Sequence, residues 1–239
     1  MIDVKGRVAL ISGANRGIGL AIARKLYEAG YSLSLGSRNI ESLNDLNEGW
    51  DKNRLLFNRF DALDKSTHSD WIKQTIDKFG RIDCLINNAG IMEPVSVDDE
   101  HDHEDALDRM WATNVKAPLS LTRLSFPHLK KSGVGRVINV SSLAGKAVWG
   151  SSVGYSMTKF AAVALSHATR QGGWEDGIRC TALCPGYVAT DLTKGVESIS
   201  LDKMISAEDL AELVKTVVLL SNTASVAELV VNCRPDVVA

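Results

Sequence analysis

Short apolar runs alternate with amphipathic stretches along the whole chain, and that alternation restricts the fold more than any other feature. "RVALIS" (7–12) has strand character, and "GIGLAIARKLYEAG" (17–30) is a helical pattern stopped by a glycine. Further strands are expected at 31–36, 53–60, 81–90 (running into a loop), 135–142, 177–186 and 226–233. Helical patterns fall between them at 39–47, 66–80, 104–114, 117–133, 154–171 and 206–221, the last opening on S-x-x-D, a capping-box-like start. Strands apolar on both faces and separated by helices imply a parallel sheet covered on each side. The expected fold is therefore α/β and doubly wound, with about seven parallel strands and helices on both faces. Right-handed crossovers bring the strand carboxyl ends to one edge, where ligands bind. Polar or glycine-rich residues follow those ends: Ser12-Gly13, Ser37-Arg38, Asp61, Asn87 to Gly90, Ser141-Ser142 and Pro185-Gly186.

The 239 residues suit one domain over 1–239, with a short loop near 191–206. A formal net charge of -2 offers no basic field for nucleic acid or an acidic membrane. "MIDVKGRVALISG" lacks the layout of a signal peptide, and the apolar segment "LAELVKTVVLL" is too short to span a bilayer. Cys84, Cys180, Cys184 and Cys233 form no C-x-x-C pair and sit in strand-like surroundings, so buried thiols are expected. These features point to a reduced, cytoplasmic protein.

After the first strand comes Ser12-Gly13-Ala14-Asn15-Arg16-Gly17-Ile18-Gly19, spaced G-x3-G-x-G. Glycines let the backbone turn sharply and let an anion approach the amides. The helix that follows turns its free N–H groups and positive dipole end toward that anion. Without a ligand, the same pattern is a tight strand-to-helix turn.

Farther on, Tyr155 and Lys159 are spaced Y-x3-K within a helical pattern, so phenol and ammonium share a face. A nearby ammonium favours phenolate and lowers the phenol pKa from its usual value of roughly 10. Ser142 stands thirteen residues earlier, at the end of a strand, where its hydroxyl can reach the same substrate oxygen. Taken singly, Tyr155 and Lys159 could be a helix-edge tyrosine and a solvated lysine; Asn114 a helix cap or kink; Asp61 a turn residue; and Thr190-Asp191 a cap.

Taken together, these motifs resemble the short-chain dehydrogenase/reductase family over nearly the whole length. The matching residues are Ser12-Gly13-x3-Gly17-x-Gly19, Asp61, Asn87-Asn88-Ala89-Gly90, Asn114, Ser142, Tyr155-x3-Lys159 and Pro185-Gly186-x3-Thr190. The resemblance implies a Rossmann fold and an enzyme transferring hydride between a nicotinamide cofactor and a carbonyl or secondary alcohol. It implies Tyr155 as general acid/base, Ser142 polarising the substrate oxygen, and Lys159 lowering the Tyr155 pKa and binding the nicotinamide ribose. Asn114 would hold a water that links Lys159 to solvent. Gly13, Asn15, Arg16, Gly17, Ile18 and Gly19 would surround the pyrophosphate. Asp61 with Ala62 would meet the adenine, and Asn88, Ala89 and Gly90 would line the adenosine side. Pro185, Gly186, Val188 and Thr190 would hold the nicotinamide. A homotetramer or homodimer is implied through the helix carrying Tyr155 and the one before it.

In the dinucleotide fold an acid after the second strand binds the ribose 2′-hydroxyl. Here Ser37 and Arg38 occupy that place. A guanidinium can clasp a 2′-phosphate in a bidentate way, with Arg16 approaching from the other side, so NADP(H) is expected over NAD(H). Ser12 stands where the family usually has threonine, and "ELVVNCRPDVVA" lacks the Asp-Gly-Gly ending common there. That ending, with the stretch from Thr193 to Ser206, looks more like a subgroup of NADP-dependent dehydrogenases acting on hydroxy acids. A non-catalytic NADP(H) sensor on the same fold is the alternative, although such proteins typically lose the tyrosine or lysine kept here. An epimerase or dehydratase would need a larger substrate domain. "DDEHDHEDALD" (98–108) reads as an acidic helix start rather than a metal site. Trp149 could wall the substrate or pack inside, and Pro127 is expected to bend or end its helix.

Overall fold

A computed structural model describes residues 1–47, 49–98, 100, 103–148 and 152–235, with the backbone alone for 44–47. Trp149, together with Asp99, His101 and Asp102 of the acidic stretch, lies outside the described residues.

Strands β1 (Val8–Ser12), β2 (Ser32–Ser37), β3 (Leu55–Arg59), β4 (Cys84–Asn87), β5 (Arg136–Val140), β6 (Arg179–Pro185) and β7 (Glu228–Val231) form a sheet ordered β3-β2-β1-β4-β5-β6-β7. Every neighbouring pair is parallel. The chain starts at the middle with β1, winds to one edge, then returns to β4 and winds to the other. The strand order therefore reverses between β1 and β4, whose carboxyl ends part to opposite sides and leave a crevice.

Side chains alternate across each strand with period two, which explains why the strands read as continuous apolar runs. Ala9, Ile11, Leu33, Leu35, Ile86, Ile138 and Leu183 face one layer, built by α1 (Gly17–Ala29) through Ile22 and Leu26 and by α6 (Ala207–Leu219) through Leu210, Val214 and Val218. Val8, Leu10, Leu85, Val137 and Cys180 face the opposite layer. There α2 (Lys65–Phe79) contributes Trp71 and Ile72, and α4 (Ala117–Ser132) contributes Leu121 and Leu129. α5 (Val153–Gly172) covers Ala182 and Cys184 through Val163. Ser206 caps α6 by accepting from Asp209 N at 3.0 Å, as the S-x-x-D pattern predicts.

Several local expectations are refined or corrected. The short helix expected at 39–47 is present as a 3-10 helix over 40–47. Cys84, Cys180 and Cys184 are buried, but Cys233 is half-buried. Pro127 does not end its helix, because α4 runs on to Ser132. Leu121 and Leu129 are buried on either side of it, so core packing outweighs the lost hydrogen bond. Between α3 (Glu104–Trp111) and α4 the chain stays helical, with Ala112–Lys116 in a single π-type turn. Such turns interrupt α-helices frequently at functional sites, and this one carries Asn114.

At the amino-terminal ends of the central strands, Asp83 is a buried carboxylate, 1% exposed, just before β4. It accepts from Arg7 Nη1 (3.0 Å), Val8 N (2.9 Å), Arg81 Nε (2.8 Å) and Ser132 Oγ (2.6 Å). Burial alone would raise its pKa, but the Arg81, Ser132 and Val8 donors outweigh it and hold the carboxyl below its ordinary value. A depressed folded-state pKa contributes stability above the ordinary carboxylate value, and that contribution is lost as pH falls through the depressed one. Asp83→Asn should cost about 3 kcal/mol at neutral pH. The gap from wild type should close in acid, and melting curves from pH 7 downward would measure it.

Candidate active site

The crevice between β1 and β4 is built first by two backbone demands. Gly13 and Gly17 hold φ of +64° and +52°, in the left-handed region that glycine tolerates. Gly19 meets a spatial limit instead: a methyl there would strike the Gly13 carbonyl and the Asn88 amide nitrogen. Asn88 ties the turn down by donating from Nδ2 to Ser12 O (2.9 Å) and Gly13 O (3.0 Å). Ser12 Oγ accepts from Asn88 N (3.0 Å) and Ala89 N (3.1 Å). Serine at position 12 thus performs the hydroxyl contact expected of the usual threonine.

α1 begins on this turn with Arg16 as its N-cap, no side-chain cap bond and no acidic residue in its first turn. Its first N–H groups have no intrahelical acceptor. The arrangement suits an anion. Asn15 and Ile18 are half-buried within the turn. Ser37 is buried and shares a hydrogen bond with Ser42 Oγ at 3.2 Å. Arg38 projects into solvent with no hydrogen bond or ion pair among the described residues. Arg16 instead reaches Asp191, 2.7 Å from Nη1 to Oδ2. Asp61 accepts from Leu63 N at 3.1 Å and lies 3.4 Å from Arg59, with the half-buried Ala62 beside it.

The second half of the site lies on β5, α5 and the π-turn. Tyr155 and Lys159 stand one turn apart on α5, with Lys159 Nζ 5.4 Å from the tyrosine ring centroid. The ammonium donates to Val140 O at 2.9 Å, at the end of β5. Ser142 opens the next 3-10 turn, where its Oγ accepts from Ala144 N (3.1 Å) and donates to Pro185 O (3.4 Å). The Ser142 hydroxyl lies at the end of β5, on the 3-10 turn against which α5 packs. A Cβ on Gly90 would stand 3.3 Å from Asn114 Oδ1 and 3.5 Å from Lys159 Nζ, so these groups converge on one short backbone segment.

Protonation differs from the expectation that Lys159 lowers the tyrosine. Burial pushes the Tyr155 phenol up to about 12, and Ser142 pulls it down only in part. Burial also pushes the Lys159 ammonium down to about 8. The ammonium lies against the ring and the Val140 carbonyl, so loss of water dominates both groups.

Asn114 is 3% exposed. Its Oδ1 accepts from Ile91 N (2.9 Å), and its Nδ2 donates to Ile91 O (2.8 Å) and Thr158 Oγ1 (3.0 Å). Both ends of the carboxamide are thus engaged by protein groups. Pro118, four residues on, has no N–H, which leaves the Asn114 carbonyl without its α-helical donor. The sequence signal for this was present in the N-x3-P spacing.

After β6, Gly186 N donates to Val231 O (2.8 Å), and Val188 pairs with Ile205 in a parallel bridge. Thr190 N donates to Thr193 Oγ1 (3.2 Å), so Thr190-Asp191 does open a short 3-10 turn. Thr190 also packs on the glycine turn, its Cγ2 3.3 Å from where a Cβ on Gly17 would sit.

Sequence reasoning missed two supporting groups. His68 is buried and pairs through Nδ1 with Ser120 Oγ and through Nε2 with Asp61 O, both at 3.0 Å. Burial lowers its pKa. Asn139 accepts from Asn87 Nδ2 at 2.7 Å and donates to Ser166 Oγ at 2.8 Å, which ties β4 through β5 to α5. This ladder gives Asn87 a structural role, linking β4 to β5. No group of His, Cys, Asp or Glu suited to a metal occurs among the described residues. No helix among them is long and apolar enough to cross a membrane.

Known proteins resemble this chain in sequence and fold. The family model described as short chain dehydrogenase matches residues 7–199. Agropine synthesis reductase of Rhizobium rhizogenes is 42% identical over 229 residues, 96% of this chain and 53% of that protein. The chain spans about half the length of the first curated relatives it matches. An uncharacterized oxidoreductase of Staphylococcus epidermidis is 31% identical over 214 residues, 90% of this chain and 91% of that one. Among solved structures, an alcohol dehydrogenase from the archaeon Thermococcus sibiricus, complexed with 5-hydroxy-NADP, matches with a TM-score of 0.84. It is 27% identical, and the match covers 94% of this chain and 95% of that one. The chain belongs to the short-chain dehydrogenase family and has its Rossmann-type fold.

Gly19→Ala should force the glycine turn apart at a cost of about 1–3 kcal/mol. Dinucleotide binding should fall with it, which thermal melts and a cofactor titration on the same sample would record.

Proposed function

We propose that the chain is an NADP(H)-dependent oxidoreductase acting between a carbonyl and its secondary alcohol, with Tyr155 as general acid/base. The observation that carries this reading is that Tyr155 and Lys159 stand on one turn of α5, with the ammonium on Val140 O at the end of β5, two residues before Ser142, at the strand ends that also hold the uncapped glycine turn. The reductase named for agropine synthesis and the alcohol dehydrogenase complexed with an NADP analogue support it.

The residues present fit a nicotinamide dinucleotide. α1 offers free N–H groups and no carboxylate to an incoming pyrophosphate. β2 ends on Ser37, followed by Arg38, which has no partner among the described residues; neither is an acid, which suits a 2′-phosphate and not a bare ribose. When bound, the cofactor supplies or accepts the hydride. Gly90 leaves room beside Lys159 and Asn114. Lys159, half-turned toward Val140 O, keeps hydrogens for the ribose hydroxyls. Val188 and Thr190 frame the nicotinamide side, and the stretch 191–206 frames the substrate within one domain.

Protonated Tyr155 is the form that reduction requires. Its O–H donates to the carbonyl oxygen while Ser142 holds that oxygen from the side. The proton is then replaced through Lys159, and the Asn114 carbonyl, lacking its Pro118 donor, can anchor a water on that path. Oxidation of the alcohol runs the other way and needs the phenolate. The apolar side chains of Leu119, Met157 and Phe160, exposed on α4 and α5, support a homo-oligomer paired through those helices.

Tyr155→Phe should lower turnover by at least about 10²-fold while leaving NADPH affinity within error, measured by carbonyl-dependent NADPH oxidation and by titration. Retained turnover would sink the mechanism. Arg38→Asp should weaken NADPH by about 10- to 100-fold and leave NADH little changed. Because burial holds the phenol near 12, alcohol oxidation should keep rising with pH through the alkaline range, whereas reduction should not. Initial rates from pH 6 to 10 in both directions would test this.

A further inference from the structure

We propose that Asp191 is a specificity-determining residue for the cofactor: it holds the Arg16 guanidinium in the free protein and competes for it with a 2′-phosphate. This rests on the NADP(H) reading above. NADP(H) has to draw Arg16 away from Asp191, whereas NAD(H) leaves the pair intact.

The two residues are 175 positions apart in sequence yet 2.7 Å apart in space. Arg16 sits at the N-cap of α1 in extended backbone, so its side chain leaves the helix instead of following it. Asp191 opens the 3-10 turn after β6, and Thr190 beside it packs directly on the glycine turn. The pair therefore clasps the phosphate-binding turn to the segment that frames the substrate.

Exchange of Arg16 is chemically easy. Both partners are open to solvent, at 65% and 40% exposure, and exposed ion pairs are weak. A phosphate dianion accepting two parallel N–H bonds from a guanidinium is a stronger partner. Lys194 also pairs with Asp191, through Oδ1, so the carboxylate keeps a counter-charge once Arg16 leaves. Lys194 and then Arg16 hold the Asp191 carboxyl below its ordinary value, which keeps it an anionic competitor at neutral pH.

The test is equilibrium titration of the purified chain with NADPH and with NADH. Asp191→Asn should tighten NADPH by about 2- to 5-fold and leave NADH unchanged. Asp191→Glu, which keeps the charge, should behave like wild type. Arg16→Gln should weaken NADPH, and adding Asp191→Asn to it should change nothing further, since the contested group is gone. In the wild type, hydrogen exchange at 190–194 should speed up with NADPH and not with NADH. The proposal is overturned if Asp191→Asn leaves NADPH unchanged, weakens it, or shifts both cofactors alike. It is also overturned if the double variant still gains NADPH affinity over Arg16→Gln. If Arg38→Asp fails to separate the two cofactors, the NADP(H) reading itself has failed. If Arg38→Asp separates them but Asp191→Asn does not, only the role of Asp191 is lost.

Discussion

Everything at the site depends on the hydrogen bonds that close the crevice between β1 and β4. Ser12 and Asn88 join the two strand ends by four bonds of 2.9 to 3.1 Å. The strand order reverses at this place, so the chains leave β1 and β4 on opposite faces and no helix covers the gap. A crevice of that kind would collapse or splay unless its walls were pinned. Asn88 pins the glycine turn from below, and Gly19 allows the approach because it has no side chain in the way. The start of α1 is held open to the crevice as a result, and its free N–H groups face whatever anion enters there.

The catalytic half is governed by burial more than by charge. α5 is anchored to the sheet by the Asn87–Asn139–Ser166 ladder, and it holds Tyr155 and Lys159 against the end of β5. Water lost from both groups pushes the phenol up and the ammonium down. Their charged forms are thus both disfavoured in the free protein, and the tyrosine remains a proton donor at neutral pH. A cation placed against a ring face and a carbonyl does less for the phenolate than one beside its oxygen. In this geometry the protonated phenol is the resting form, and a phenolate has to be created by whatever else enters the site.

The fold was legible because its signals are local. Both-face apolar strands, glycine stops and the G-x3-G-x-G turn act within a few residues, and so do Tyr155 and Lys159 on one helix face. What escaped depends on distance or on burial. The 39–47 stretch has helical spacing but is too short to hold an α-helix, and it closed as a 3-10 helix. The expected break at 115–116 between two helices is bridged by a π-turn that carries Asn114, whose side chain bonds Ile91 across the site. Pro127 alone predicts a break, yet buried leucines on both sides carry α4 past it. The Asp83 network and His68 join elements far apart in sequence, and no spacing rule could have paired them.

The Arg16–Asp191 contact belongs to the same class and bears most directly on function. A sequence shows an arginine in a glycine turn and an aspartate after a threonine, and each has a sufficient local explanation. Folding brings them together where the glycine turn meets the segment after β6. A weak, exposed pair there adds little stability, since its partners remain well solvated. Its worth lies in being exchangeable: an arginine already committed to a buried carboxylate, as Arg81 is to Asp83, could not be offered to a ligand without leaving a charge stranded. Arg16 can be offered, because Lys194 stays behind with Asp191. The same chain therefore uses arginine–aspartate pairs in two opposed ways, buried and multiply bonded to lock the base of the sheet, exposed and singly bonded where a ligand has to compete.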